Sequence, residues 1–186
     1  MSITAIVILV ILAIIIIWVI GAYNRLISLT NHAKESWADI DVQLKRRYDL
    51  IPNLVESVKG YAAHEKTTFQ NVTDARTRAM SATAPADKAA AENALSGTLK
   101  SLFAVAENYP ELKANQNFLQ LQQELGDTED KIQAARRFYN TNVMALNTSE
   151  QVFPSNIIAN SFGFKPMDLF NLGADTAASE PVKVQF

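Results

Sequence analysis

The chain has no cysteine, only two histidines among 186 residues, and no charged side chain in its first 22 residues. Without cysteine there are no disulfides and no thiolate-held metals. His32 and His64 lie about nine turns apart on one predicted helix, so they share a metal only if two chains meet. His64-Glu65 starts like an HExxH zinc motif, but Thr68 stands where the second histidine belongs. Asp39 and Asp41 diverge around a helix and make no carboxylate pair. Asp127, Glu129 and Asp130 lack the glycine and terminal glutamate of a calcium loop. The six glycines form no phosphate-cradling loop, and no Ser/His/Asp arrangement is visible. The net charge of −2, with no basic stripe, gives no reason to expect nucleic acid. These absences predict a protein that is not an enzyme, with no catalytic residues, cofactor or metal.

What is present begins with MSITAIVILVILAIIIIWVIGA. From Ile3 to Ile20 nearly every residue is apolar. As a helix this run rises roughly 27 Å, close to the ~30 Å hydrocarbon core of a bilayer. A cleaved signal peptide normally carries a basic n-region and a shorter apolar core, and a soluble core helix is rarely so free of polar residues. The expectation is a single transmembrane anchor over residues 1–22. Trp18 and Tyr23 suit the membrane–water interface, and Arg25 is the first basic flank. Basic residues lie only on the C-terminal side, at Arg25, Lys34, Lys45, Arg46 and Arg47. The positive-inside rule then puts the short N-terminus outside and the rest in the cytoplasm.

From Leu26 the apolar residues step by three and four through Ala33, Trp37, Ile40, Leu44, Tyr48, Ile51, Val55, Val58 and Ala62, then Phe69, Val72 and Ala75. This is one helical stripe, in phase across Pro52. Pro52 removes a donor and crowds the carbonyl of Tyr48, so a kink is expected but no break. The first helix is predicted to run from Ile3 to about Met80. A turn at Ser81-Ala-Thr-Ala-Pro-Ala leads to a second helix from Asp87, which ends at Asn108-Tyr109-Pro110. A third runs from Pro110 to about Asn147. A short helix follows Gln151, a turn spans Ser161–Pro166, and Pro166–Leu172 is predicted as one or two helical turns ended by Gly173. The fold class is all-α: a transmembrane helix continuing into an elongated antiparallel bundle over residues 23–172. Residues 173–186 form a flexible tail, although Val182–Phe186 alternates like a strand that adds to a partner.

Three stretches are specific enough to name a family. WADIDVQLKRRYDLIPNLVESVKGYAAHE (Trp37–Glu65), YPELKANQNFLQLQQELGDTEDKIQAARRFYN (Tyr109–Asn140) and FPSNIIANSFGFKPMDLF (Phe153–Phe170) resemble the LemA family of bacterial membrane proteins. With the anchor, the resemblance covers nearly the whole chain. It implies a single-pass anchor, an elongated helical domain and no enzyme activity. A magnetosome-associated relative ties the family to membrane organisation, and gene neighbourhoods tie it to membrane-bound proteases.

The residues offer three candidate interaction sites. The motif Arg46, Arg47, Asp49, Pro52 and Asn53 marks the helix kink. Its basic cluster pairs locally, as Arg46 with Asp49, or contacts an acidic partner or lipid. Lipid contact requires the helix to tilt, because Arg46 lies roughly 35 Å beyond the membrane edge on an upright helix. Asn115, Asn117, Gln120 and Gln123 can hydrogen-bond across a helix–helix or oligomer interface, or face solvent. Phe153, Phe162, Phe164 and Phe170 cap the bundle or, if left exposed, form a docking or membrane-contact patch. The expected function is a membrane-anchored scaffold that self-associates. The alternative is an adaptor for a membrane-bound partner such as a protease.

Overall fold

The computed structural model describes residues 2–62 and 64–171. Among them the chain is all-α, with six helices: α1 (Ile3–Lys59), α2 (Lys66–Ser81), α3 (Pro85–Glu107), α4 (Pro110–Lys113), α5 (Gln116–Gln151) and α6 (Ser155–Phe162). They form two compact units. One contains the chain up to Ala38 together with Arg137–Asp168, and the other contains Asp39–Arg136 and the described residues from Leu169. Both α1 and α5 contribute to each unit.

The first unit pairs α1 with the end of α5. Ser36 meets Asn142, Trp37 meets Tyr139, and Leu26 packs with Leu146, so the two helices run antiparallel. Ile158 and Ala159 of α6 join that core. In the apolar run of α1, Ile3 through Ile17 are largely exposed among the described residues, Val19 at its end packs on the core of this unit, and the segment is long and apolar enough to cross a membrane.

The second unit contains parts of α1 and α5 together with α2, α3 and the one-turn α4, with α2 and α3 packed as a hairpin. Its core contains the predicted stripe, from Ile40 through Ala62 and on to Phe69, Val72 and Ala75. Leu95, Leu99 and Leu102 of α3 and Phe118, Leu125 and Ile132 of α5 complete it.

Pro52 stays inside α1, and the helix continues past it. The carbonyl of Tyr48, which Pro52 cannot reach with a donor, instead accepts from Arg76 Nε at 2.8 Å. The expected continuation to Met80 is corrected: α1 ends at Lys59 and α2 begins at Lys66. Gly60 weakens the helix there, and Tyr61 N–H bonds back to Val58 in a tightened last turn. The stripe stays in phase because two antiparallel helices facing one core share the same 3.6-residue period.

The predicted third helix is also split. Asn115 Oδ1 accepts from the backbone N–H groups of Asn117 and Phe118 at 2.9 and 3.1 Å, which caps a new start for α5. The turn expected at Ser161 begins later, at Gly163. Gly163 adopts φ +74°, and Phe164 N–H bonds to the carbonyl of Ala159 at 3.0 Å, closing α6 in a Schellman motif. The helix predicted from Pro166 is absent through Asn171. Side chains of α5 claim the backbone there instead. Asn147 accepts from Met167 N–H at 3.0 Å and donates to Met167 C=O at 2.9 Å, and Tyr139 Oη donates to Asp168 C=O at 2.8 Å. Gly173 and the tail lie outside the described residues.

Candidate functional site

The second unit contains a buried ionic cluster centred on Arg47. Leu44, Arg47 and Ile51 recur at helical spacing, so Arg47 lies on the buried stripe and not beside it. Its side chain is 5% exposed. Nη1 lies 3.2 Å from Glu92 Oε2 of α3 and 3.2 Å from Glu129 Oε2 of α5, while Nη2 donates to Ser96 Oγ at 2.7 Å. One guanidinium thus joins three helices, using the planar fork that lysine lacks.

Glu92 is 1% exposed and also accepts from the Tyr48 hydroxyl. Burial pushes the Glu92 carboxyl above the usual range, although Tyr48, Arg47 and Lys88 pull it back. Burial likewise pushes the Tyr48 phenol well up, and the hydrogen bond to Glu92 adds to this. Lys88 reaches Asp41 at 3.2 Å. These charges are engaged across helices, so the arrangement serves to lock α1, α3 and α5 together. A cleft of about 650 Å3 opens beside it, lined by Arg47, Lys100, Phe103, Gln122, Glu129 and Arg136 among others. No group of three His, Cys, Asp or Glu side chains among the described residues is placed to hold a metal.

The rest of the motif faces the other way. Arg46, Asp49, Pro52 and Asn53 are exposed, and no ion pair joins Arg46 to Asp49 among the described residues. The amides also separate. Asn115 caps α5 and donates to Tyr61 Oη at 3.2 Å, while Asn117, Gln120 and Gln123 are exposed. Gln120 bonds only along its own helix, to Glu124. His32 and His64 are exposed.

In the first unit, Trp18 and Arg25 are exposed and Tyr23 is half-buried. Tyr23 stacks on Phe162 and Phe164, with ring centroids 4.8 and 5.8 Å away. Phe164 is half-buried by this contact, whereas Phe162 stays 58% and Phe153 79% exposed. Phe170 is fully buried in the second unit. The four phenylalanines therefore do not form one patch. Sequence reasoning missed Glu92 and Tyr48 as a pair. The signal was available, because Glu92 lies between Ala89 and Leu95 at helical spacing on the buried face of α3.

The LemA family model matches residues 36–186. Protein LemA of Metamycoplasma hominis is 27% identical over an alignment covering 82% of this chain and 68% of that protein. Magnetosome protein MamQ of Magnetospirillum gryphiswaldense is 24% identical, over 80% of this chain and 64% of its own length. Magnetosome protein MamQ 2 of Paramagnetospirillum magneticum shows the same identity and coverage.

Proposed function

The chain belongs to the LemA family, and from that premise we propose a membrane-anchored, non-enzymatic helical scaffold that self-associates and organises or shapes the membrane. The observation that carries this reading is the apolar run of α1, whose residues from Ile3 to Ile17 are largely exposed and which continues without a break into the rest of the helix. A bilayer is the solvent that run requires. Exposed Leu119, Phe138 and Met144 on α5 and Val42 on α1 offer apolar contacts to further copies of the chain. Relatives named as magnetosome proteins favour a role in membrane organisation. The non-enzymatic reading is supported by the ionic cluster, whose acid, base and phenol are used to bind helices to one another.

The charge bias around the anchor favours a bacterial inner-membrane protein with its N-terminus outside and its helical domain in the cytoplasm. The cleft beside Arg47, with charged, amide and aromatic lining, favours a second reading in which the protein is an adaptor for a membrane-protein partner such as a protease. Electron microscopy of the full-length protein in native-lipid vesicles, beside a variant lacking residues 1–22, separates the two. Regular arrays or curved membranes with the full-length protein support the scaffold. Isolated molecules on flat membranes overturn it in favour of the adaptor, whose partner in-cell crosslinking then identifies.

A further inference from the structure

The residues between α5 and α6 form an apolar tip that the bundle leaves uncovered. No charged side chain occurs from Gln151 to Phe164. Val152 is 48%, Phe153 79% and Ile157 53% exposed. Only the opposite face of α6 is used internally, where Ile158 and Ala159 pack on Leu26 and Leu146. Ser155 Oγ donates to the carbonyl of Ser149 at 2.7 Å and Asn156 N–H to that of Val152 at 2.9 Å, so the tip is a bonded turn.

Its position is set by the anchor. Because α5 runs antiparallel to α1, its C-terminal end descends toward the apolar run. Trp18, Gly21 and Arg25 line one shallow cavity of about 410 Å3 together with Val152, Phe153 and Pro154. Val19, inside the apolar run, packs against the core that contains Ile158 and Ala159. The tip therefore lies level with the last turn of the membrane-spanning segment. Arg25, which lines that cavity, and Lys165, which follows α6 in the chain, are exposed and carry positive charge on long stems.

We propose that Val152, Phe153, Pro154 and Ile157 insert into the headgroup–acyl boundary of the same bilayer that α1 crosses, as a second, shallow membrane contact. An uncharged apolar turn held beside a spanning helix meets lipid before it meets any other partner, and interfacial elements of this kind bury roughly 5–10 Å deep. Arg25 and Lys165 face the lipid phosphates. The wedge occupies one leaflet only, which gives the proposed membrane shaping a physical means. The inference rests on the reading of α1 as a membrane anchor.

The absence of native cysteine makes the test clean. Full-length protein carrying a single nitroxide at Phe153→Cys, Ile157→Cys, Ile11→Cys or Asn53→Cys is reconstituted into vesicles with about one third anionic lipid, a composition that gives a negative surface potential. Collision of the label with molecular oxygen and with a polar nickel chelate is then measured. The expected result is an oxygen-to-nickel ratio several-fold higher at 153 and 157 than at 53, approaching that at 11. A ratio at 153 and 157 equal to that at 53, with 11 still in lipid, overturns the wedge and leaves the anchor standing. Low collision with both reagents at 153 and 157 places a protein partner there and also overturns it. An aqueous reading at 11 overturns the anchor and the wedge together.

Discussion

The two units are stabilised by different chemistry. The unit built from Asp39–Arg136 buries ions: Arg47, Glu92 and the partly covered Glu129 meet where three helices converge. The unit that contains the apolar run of α1 makes its part-buried polar contacts with neutral groups. Asn142 donates to Ser36 Oγ at 2.8 Å, Asn147 pairs with the backbone of Met167, and Tyr139 bonds to Asp168 C=O. Among the described residues the ion-pair contact of this unit, His32 with Glu35, joins exposed side chains. The desolvation cost of an ion grows as water becomes scarce, whereas an amide with both partners supplied loses far less.

The comparison breaks first at Arg47. Arg47→Ala leaves Glu92 buried without its cation and should cost about 3–5 kcal/mol. Arg46→Ala, one residue away and exposed, should stay within about 0.5 kcal/mol. Urea unfolding of both variants in detergent measures the pair, and equal midpoints would remove the distinction between buried and exposed members of the motif. The first unit breaks at Asn147. Asn147→Leu strips both partners from Met167 and should cost about 1–3 kcal/mol. The loss is local, so hydrogen exchange should speed up at Met167 while amides in α2 and α3 keep their protection.

The ionic cluster also gives the second unit a pH dependence. The folded state holds the proton of Glu92 more tightly than the unfolded chain does. Between the ordinary glutamate value of about 4.3 and the raised folded value, the unfolded chain has released its proton while the folded chain has not. Stability contributed by Glu92 is therefore complete at lower pH and declines as pH rises through that window. In the first unit Glu150, raised by burial alone, acts in the same direction. Glu92→Gln should flatten the decline without abolishing it, as measured by unfolding midpoints from about pH 4 upward. An unchanged slope would show that the Glu92 carboxyl does not titrate in that window.

Most of the fold was legible because the apolar stripe is long and regular. Every residue named in it from Leu26 to Ala75 is buried or half-buried. The hairpin at Gly60–Glu65 was not, because periodicity reports a face and not a direction. Its only local marks were Gly60 and the seven-residue step from Ala62 to Phe69. The stretch after Pro166 misled for another reason. Its helix signals are sound, but Asn147 and Tyr139, distant in sequence, take the backbone groups a helix would have used. Within the basic motif, composition alone treats Arg46 and Arg47 alike, and only helix phase separates them.

The Arg47 cluster also has a consequence for synthesis. Its members are translated in the order Arg47, Glu92, Glu129, on α1, α3 and α5. Until α5 emerges from the ribosome, the guanidinium lacks one carboxylate and the site stays open to water. α5 supplies the last carboxylate of the lock, so a chain truncated before Glu129 carries an unfinished cluster.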